Sequence, residues 1–299
     1  MNRIIGLILL ALFAVPAFGA GYEIVDTPGK YCDIKHDGKT LVRYMYEYDD
    51  TDDKTKHATY KVYYHVMDAA GKLPITKGPG GQYTHHRGMF IGFAKLKSHG
   101  KKSDHWHMSK GALQKHVEFL KQEATADKAV LCSSIAWTTN DGTIVEETRT
   151  LTIHHDDKAH MVADFVSELK AIGSDAEFNG DPEHAGMQYR PSNQVASNKS
   201  AKYIFHTEET KPAQDLDLPW ANLTYKLGES TYSVQHMNHP SNPKKTRYSA
   251  YRNYGRFGAF PVFTVKENET GTLRYRIRVT EGDAPSREAL AAEYEKFAK

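Results

Sequence analysis

Two adjacent histidines, an arginine and a glycine, His85-His86-Arg87-Gly88, stand directly before the apolar run Met89 to Phe93. Histidine titrates close to neutral pH and moves protons without a large pKa shift, while arginine presents a planar fork of donors. A loop that merely crosses the surface needs no apolar run behind it, and a core strand needs no such head. The combination points to a site mounted on a rigid sheet, where reacting groups are best held. Further chemistry-bearing clusters follow: Ser103-Asp104-His105-Trp106-His107, where two histidines flank a tryptophan, then Glu183-His184-Ala185-Gly186 leading to Arg190, then His236 and His239, the latter in a double-proline loop. If the 103–107 segment is extended, His105 and His107 share one face, two residues apart.

The elements that must carry these residues read mostly as strands. Lys39 to Tyr48 and Thr59 to Met67 alternate polar and apolar residues around an acidic turn, Asp49 to Asp53, that reads as a solvated loop. A calcium loop there would need a glycine and a later carboxylate at fixed places, which the sequence lacks. Lys110 to Glu123 fits a strand, and Ala129 to Ile153 fits a hairpin about Asn140-Asp141-Gly142. Pro191 to Ser200 reads as loop; Met161 to Ala171, Thr231 to Met237 and Thr272 to Thr280 read as strands. Only the end, Pro285 to Phe297, reads as a helix, capped by Ser286. Many short strands and one late helix predict an all-β protein, a large antiparallel β-sandwich with a short C-terminal helix.

Residues 1–20 carry a basic head, an apolar stretch and small residues at Ala17 and Gly19, the pattern of a cleavable signal peptide. Residues 21–299 are then expected as a single secreted or periplasmic domain, with no stretch apolar enough to span a bilayer. Two cysteines, Cys32 and Cys132, fit either one disulfide or two separate thiols. A formal net charge of +2 gives no electrostatic case for nucleic acid, while sixteen histidines and eighteen tyrosines suit a wet groove for a polar, ring-shaped ligand. No nucleophile elbow, phosphate-cradling loop or dinucleotide fingerprint is present.

In combination, His85-His86-Arg87-Gly88, the Glu183 to Arg190 segment, Trp220-Ala221-Asn222, His239 to Pro243 and Tyr254-Gly255 resemble the PmoA-like family, whose members carry a methane-oxygenase label. The likeness runs from about residue 80 to 280. By its strand pattern, that resemblance implies a sandwich like those of galactose mutarotases and several polysaccharide lyases, a fold-level analogy. A mutarotase-like site would use Arg87 for a bidentate contact, His86 or His107 as acid and Glu183 as base. His85, Trp106, Arg190, Trp220, His239 and Tyr254 are the matching candidates for substrate binding. Arg87 and His85 serve equally well to brace a turn, and the tryptophans equally well as core. The expected function is an exported carbohydrate-active enzyme of epimerase or lyase type acting on a small sugar or oligosaccharide. The alternatives are a non-catalytic glycan-binding sandwich and an enzyme using a divalent metal, with His105, His107, His184 and His236 as candidate ligands.

Overall fold

The computed structural model describes residues 21–299, so the expected leader lies outside the described residues. Alternation of side chains decides the local structure. Lys128–Thr139 and Gly142–His154 bury nearly every second residue, and Thr139 pairs with Gly142, leaving Asn140 and Asp141 as a two-residue turn. The expected strands at Leu113–Ala124, Met161–Ala171, Ser230–Asn238 and Thr270–Glu281 are all present.

Two eight-stranded antiparallel sheets result, with a four-stranded sheet beside them. The first runs Tyr22–Thr27, Tyr31–His36, Lys39–Met45, Tyr63–Val66, Met89–Phe93, Ala185–Tyr189, Phe257–Phe260 and Arg247–Ser249, in spatial order. The second is ordered Lys202–Phe205, Trp220–Leu227, Ser230–Asn238, Thr270–Glu281, Met161–Ala171, Gly142–His154, Lys128–Thr139 and Leu113–Ala124. The core lies between them, where Val42, Tyr64, Ile91 and Met187 of the first sheet join one apolar cluster with Leu131, Leu151, Phe165 and Ile277 of the second. The all-β sandwich expected from the strand pattern is therefore the fold.

Among the described residues, helix appears in two places besides the C-terminus. The acidic stretch expected as a loop starts a helix at Asp53–Thr59, because Asp52 accepts the Thr55 amide (2.9 Å) and a carboxylate suits a helix N-terminus. Asn193–Asn198 is a second short helix inside the stretch expected as loop. At the end of the chain, Arg287–Phe297 is capped by Ser286 as expected, and its Leu290 packs on Trp220 and Met237. Cys32 and Cys132 are separate thiols. Among the described residues no helix is long and apolar enough to cross a membrane.

The outer face of the first sheet positions the site. Ala185, Met187 and Tyr189 join the core, so Gly186, Gln188 and the following Arg190 are directed to the other side by the two-residue period. On the neighbouring strands, Tyr63 and Phe90 likewise leave the core and form a separate cluster with Trp106.

Candidate functional site

After the hairpin Lys95–Ser98 and Lys101–Ser103, the chain crosses this outer face in a tight turn. Asp104 makes the turn: its Oδ1 accepts the amides of Trp106 (3.0 Å) and His107 (2.9 Å), and its Oδ2 accepts His107 Nδ1–H (2.8 Å). The segment is thus not extended, and His105 and His107 do not share a face. His105 turns inward, stacks on Trp137 with ring centroids 5.4 Å apart, and donates from Nε2 to the Thr138 carbonyl. His107 turns out towards solvent.

Gly92 allows the crossing. A Cβ there would run into the His105 carbonyl, a backbone atom that cannot swing aside. Gly92→Ala is expected to cost about 1–3 kcal/mol, the usual penalty of overpacking, and to shift the Trp106 loop. Urea unfolding followed by tryptophan fluorescence checks this; an unchanged midpoint and emission maximum would contradict it.

A second turn repeats the device. Asp181 Oδ1 accepts the Glu183 amide (3.0 Å) and His184 Nδ1–H (2.8 Å). His107 and His184 are thereby both held with Nδ1 on a carboxylate, which leaves Nε2 of each without a hydrogen-bond partner among the described residues. Their ring centroids are 5.1 Å apart. His85 lies 4.4 Å from His107, and His86 lies 4.4 Å from His85, so the four rings form a continuous run. Tyr83 and Tyr254 close the far end, with Tyr83 5.2 Å from His86 and 4.9 Å from Tyr254.

His85 and His86 precede the Met89–Phe93 strand, whereas His184 precedes its antiparallel neighbour, where Ala185 pairs with Phe93 and Tyr189 with Met89. The two heads start from opposite ends of the pair. The Trp106 turn bridges them across the face, with Trp106 5.8 Å from His86 and 6.1 Å from His184.

The electrostatics are strongly one-sided. Burial, reinforced by Arg256, Arg190 and Lys61, drives the His86 pKa far below the usual imidazole range. Burial, then Lys61, His107 and His184, do the same to His85. Burial likewise pushes the Lys61 ammonium down, with Arg87 adding to it. Burial would raise the Asp104 carboxyl, but hydrogen bonds from His107 and Trp106 prevail and hold it down to about 2.

The residues expected from sequence divide into three groups. His85, His86, His107, His184, Arg190 and Tyr254 come together, with Arg190 Cζ 4.9 Å from the Tyr254 ring centre. Arg87 adjoins them, but its guanidinium is fully buried and donates to the carbonyls of Thr84, His86 and His57. It braces the loop that carries the histidines instead of offering a bidentate face to substrate. Glu183 is engaged by Arg252 and Tyr251, so it is a paired rim carboxylate in place of the free base expected.

The remaining candidates lie elsewhere or inside. Trp106 is buried beneath the histidines, and Trp220 is buried at the C-terminal helix, so neither ring presents a face for stacking a sugar. His239 is held by Ser241 and lies against Phe297, in the same region as Trp220. His236 is enclosed in the core, its Nδ1 3.1 Å from the Tyr248 hydroxyl and its Nε2 donating to the Met187 carbonyl. As metal ligands, His105 and His236 are excluded by these engagements. His107 and His184 each have Nε2 free, but among the described residues no three His, Cys, Asp or Glu side chains converge to hold an ion.

Four participants were missed: Asp104, Asp181, Lys61 and Arg256. The two aspartates had a signal, since Asp104-x-x-His107 and Asp181-x-x-His184 share one spacing. Lys61 and Arg256 stand just before strands, as Arg87 does, and carried no other mark.

Two packed antiparallel sheets, with a histidine run over the outer face of one, define an all-β sandwich protein with a cationic, aromatic-walled surface site. The chain belongs to DUF6807, a family of unknown function whose profile it matches over residues 31–295. No curated protein matches it. Among solved structures it is similar to a mutant of the heparan sulfate lyase HepC from Pedobacter heparinus (8% identity, TM-score 0.44, 87% of this chain and 37% of that one). It is also similar to an aldose epimerase homologue from C. elegans (7%, 0.36, 89% and 100%). A structure described as a putative kojibiose phosphorylase from human microbiome matches as well (10%, 0.36, 86% and 31%). The chain spans little more than a third of the length of the lyase it matches.

Proposed function

We propose that the site performs acid/base chemistry on a sugar, as an epimerase or lyase, in a protein exported by way of residues 1–20. The observation that carries this is the run His86, His85, His107, His184, in which two rings are kept neutral by their surroundings and two are oriented by aspartates. Neighbouring titratable groups in such different environments are how a site separates its base from its acid.

His85, neutral and nearer the surface than His86, takes a proton from a sugar carbon next to a carbonyl. The electron pair moves onto the carbonyl oxygen as an enediolate. His107 or His184 then returns a proton from Nε2 to the opposite face, giving epimerisation, or protonates a departing oxygen at the β-carbon as the enediolate collapses, giving elimination. This departs from the acid role expected of His86, whose cationic surroundings oppose the protonated ring that an acid needs, and it leaves Glu183 outside the reaction.

The test is solvent exchange. Neutral and oxidised monosaccharides and uronates, incubated with the protein in deuterium oxide, are followed by proton NMR for loss of a carbon-bound proton. We expect exchange with at least one sugar, reduced about 10²–10⁴-fold in His85→Gln and in His107→Asn, the usual worth of a positioned acid or base. Exchange with no sugar, or exchange undiminished in both variants, would overturn the reading.

A further inference from the structure

Buried guanidinium groups are ordinarily paired with carboxylates, because an uncompensated charge out of water is costly. Here Arg87, Arg190 and Arg256 are all 0% exposed, and neither they nor the buried Lys61 and Lys77 have a carboxylate within 4.0 Å among the described residues. Neutral oxygens hold part of each group. Arg190 donates to the Pro191 and Tyr254 carbonyls, and Arg256 donates to Gln188 Oε1 (3.0 Å) and Ser249 Oγ (2.9 Å).

What remains is a set of buried nitrogens with no partner: Nε of Arg190 and Arg256, Nε1 of Trp106, Nδ1 of His86 and Nε2 of His85. They are neighbours. Arg256 Cζ lies 5.7 Å from the Trp106 ring centre, Trp106 lies 5.8 Å from His86, and Arg190 reaches the Tyr254 ring beside His86. Three of the five belong to groups that donate only, so the chemistry they lack is an acceptor, and the charge around them asks for an anion.

An adjoining cleft has the same sign. About 590 Å³ in volume, it is lined by Lys95, Lys101, Lys102, Lys110 and His99, and it shares Asp104 with the histidine site. Asp141 is engaged there by Lys101 (2.8 Å).

We propose that the sugar taken by this site is an acidic one, whose carboxylate or sulfate ester is received by Arg190, Arg256 and Trp106 beside His86, with further acidic units of a chain running along the lysine cleft. This deepens the acid/base reading and rests on it for the sugar, but not for the anion. When the carbon next to a bound carboxylate loses its proton, the electron pair moves onto the carboxylate oxygens, and the guanidinium groups that hold them would stabilise the added charge, so binding and turnover would draw on the same residues.

Calorimetric titration of the full chain with matched ligands tests the proposal without any variant: D-glucuronate and D-galacturonate, their neutral methyl esters, glucose and galactose, and glucose 6-sulfate. At least one acid is expected to bind tenfold or more tightly than its ester and its parent sugar. Preference for a uronate identifies a carboxylate, and preference for glucose 6-sulfate identifies a sulfate ester. Arg256→Gln should abolish the preference. Esters or neutral sugars binding as tightly as the acids would overturn the acidic-sugar inference and leave the sugar reading standing. If no sugar binds, thermal midpoints in acetate and in sulfate, against chloride at equal ionic strength, separate the two ideas. A rise in the wild type that is lost in Arg190→Lys keeps the anion site and sinks the sugar. Equal midpoints sink both.

Discussion

Lowering the pH from 7 to 5 is expected to remove several kcal/mol of stability, a larger loss than carboxylate titration explains in that range. The cause is a set of histidines folded in their neutral form. Burial, with Arg43 and Arg87 adding to it, pushes His65 down to about 4. Burial pushes His105 and His236 down to about 4 as well, against the opposing hydrogen bonds to Thr138 and Met187. In the unfolded chain each returns to about 6.5, so between 6.5 and 4 the unfolded state binds more protons, and stability falls as pH falls. The contribution is complete above the unfolded value and is lost progressively as pH drops towards the folded one. One such ring gives a slope of up to about 1.4 kcal/mol per pH unit, and three give up to about 4. His85 and His86 act in the same direction. Asp104, held at about 2, stays ionised throughout this window and does not offset them. Urea midpoints at pH 7.5, 6 and 5 provide the check; a flat profile would mean that these rings are not buried and neutral.

Glu147→Ala is expected to be the most destabilising single change in the core. Glu147 and Arg149 face inward between the sheets, both side chains 0% exposed, with Arg149 Nε donating to Oε1 (2.8 Å) and its Nη2 to Oε2 (2.7 Å). The carboxylate also accepts Trp137 Nε1–H (2.7 Å) and Ser167 Oγ–H (2.6 Å). Removing it leaves a charged guanidinium and two further donors without an acceptor, at a cost of about 3–5 kcal/mol. Replacing both charged residues with apolar ones, Glu147→Leu with Arg149→Met, should cost less than the single change, because no charge is then stranded. Denaturant unfolding of the two variants distinguishes these outcomes. A double variant less stable than Glu147→Ala would show that the pair contributes more than it costs to bury.

Both predictions rest on residues whose surroundings the sequence does not display. Glu147 and Arg149 read as two charged residues in an alternating strand, and only the position of the first sheet makes their face the inner one. The same limit governed the site. Arg87 before Gly88 fitted both a substrate contact and a turn brace, and the carbonyls of Thr84, His86 and His57 decide for the brace. Trp106 and Trp220 carried no mark of burial, because an indole is written identically in a core and on a rim.

What the sequence determined by itself was local. Two-residue alternation set the long strands, Asn140-Asp141 set their turn, Ser286 set the final helix, and the histidine clusters stood where strands begin. These depend on interactions within a few residues, which a sequence spells out directly. The tertiary structure decided which strands pair, which face is covered, and which charges are left without partners. His85 and His184 head antiparallel neighbours from opposite ends and meet only because the Asp104 turn crosses the sheet above Gly92. Contacts between residues about a hundred positions apart depend on packing summed over the whole chain, and no local pattern carries that sum.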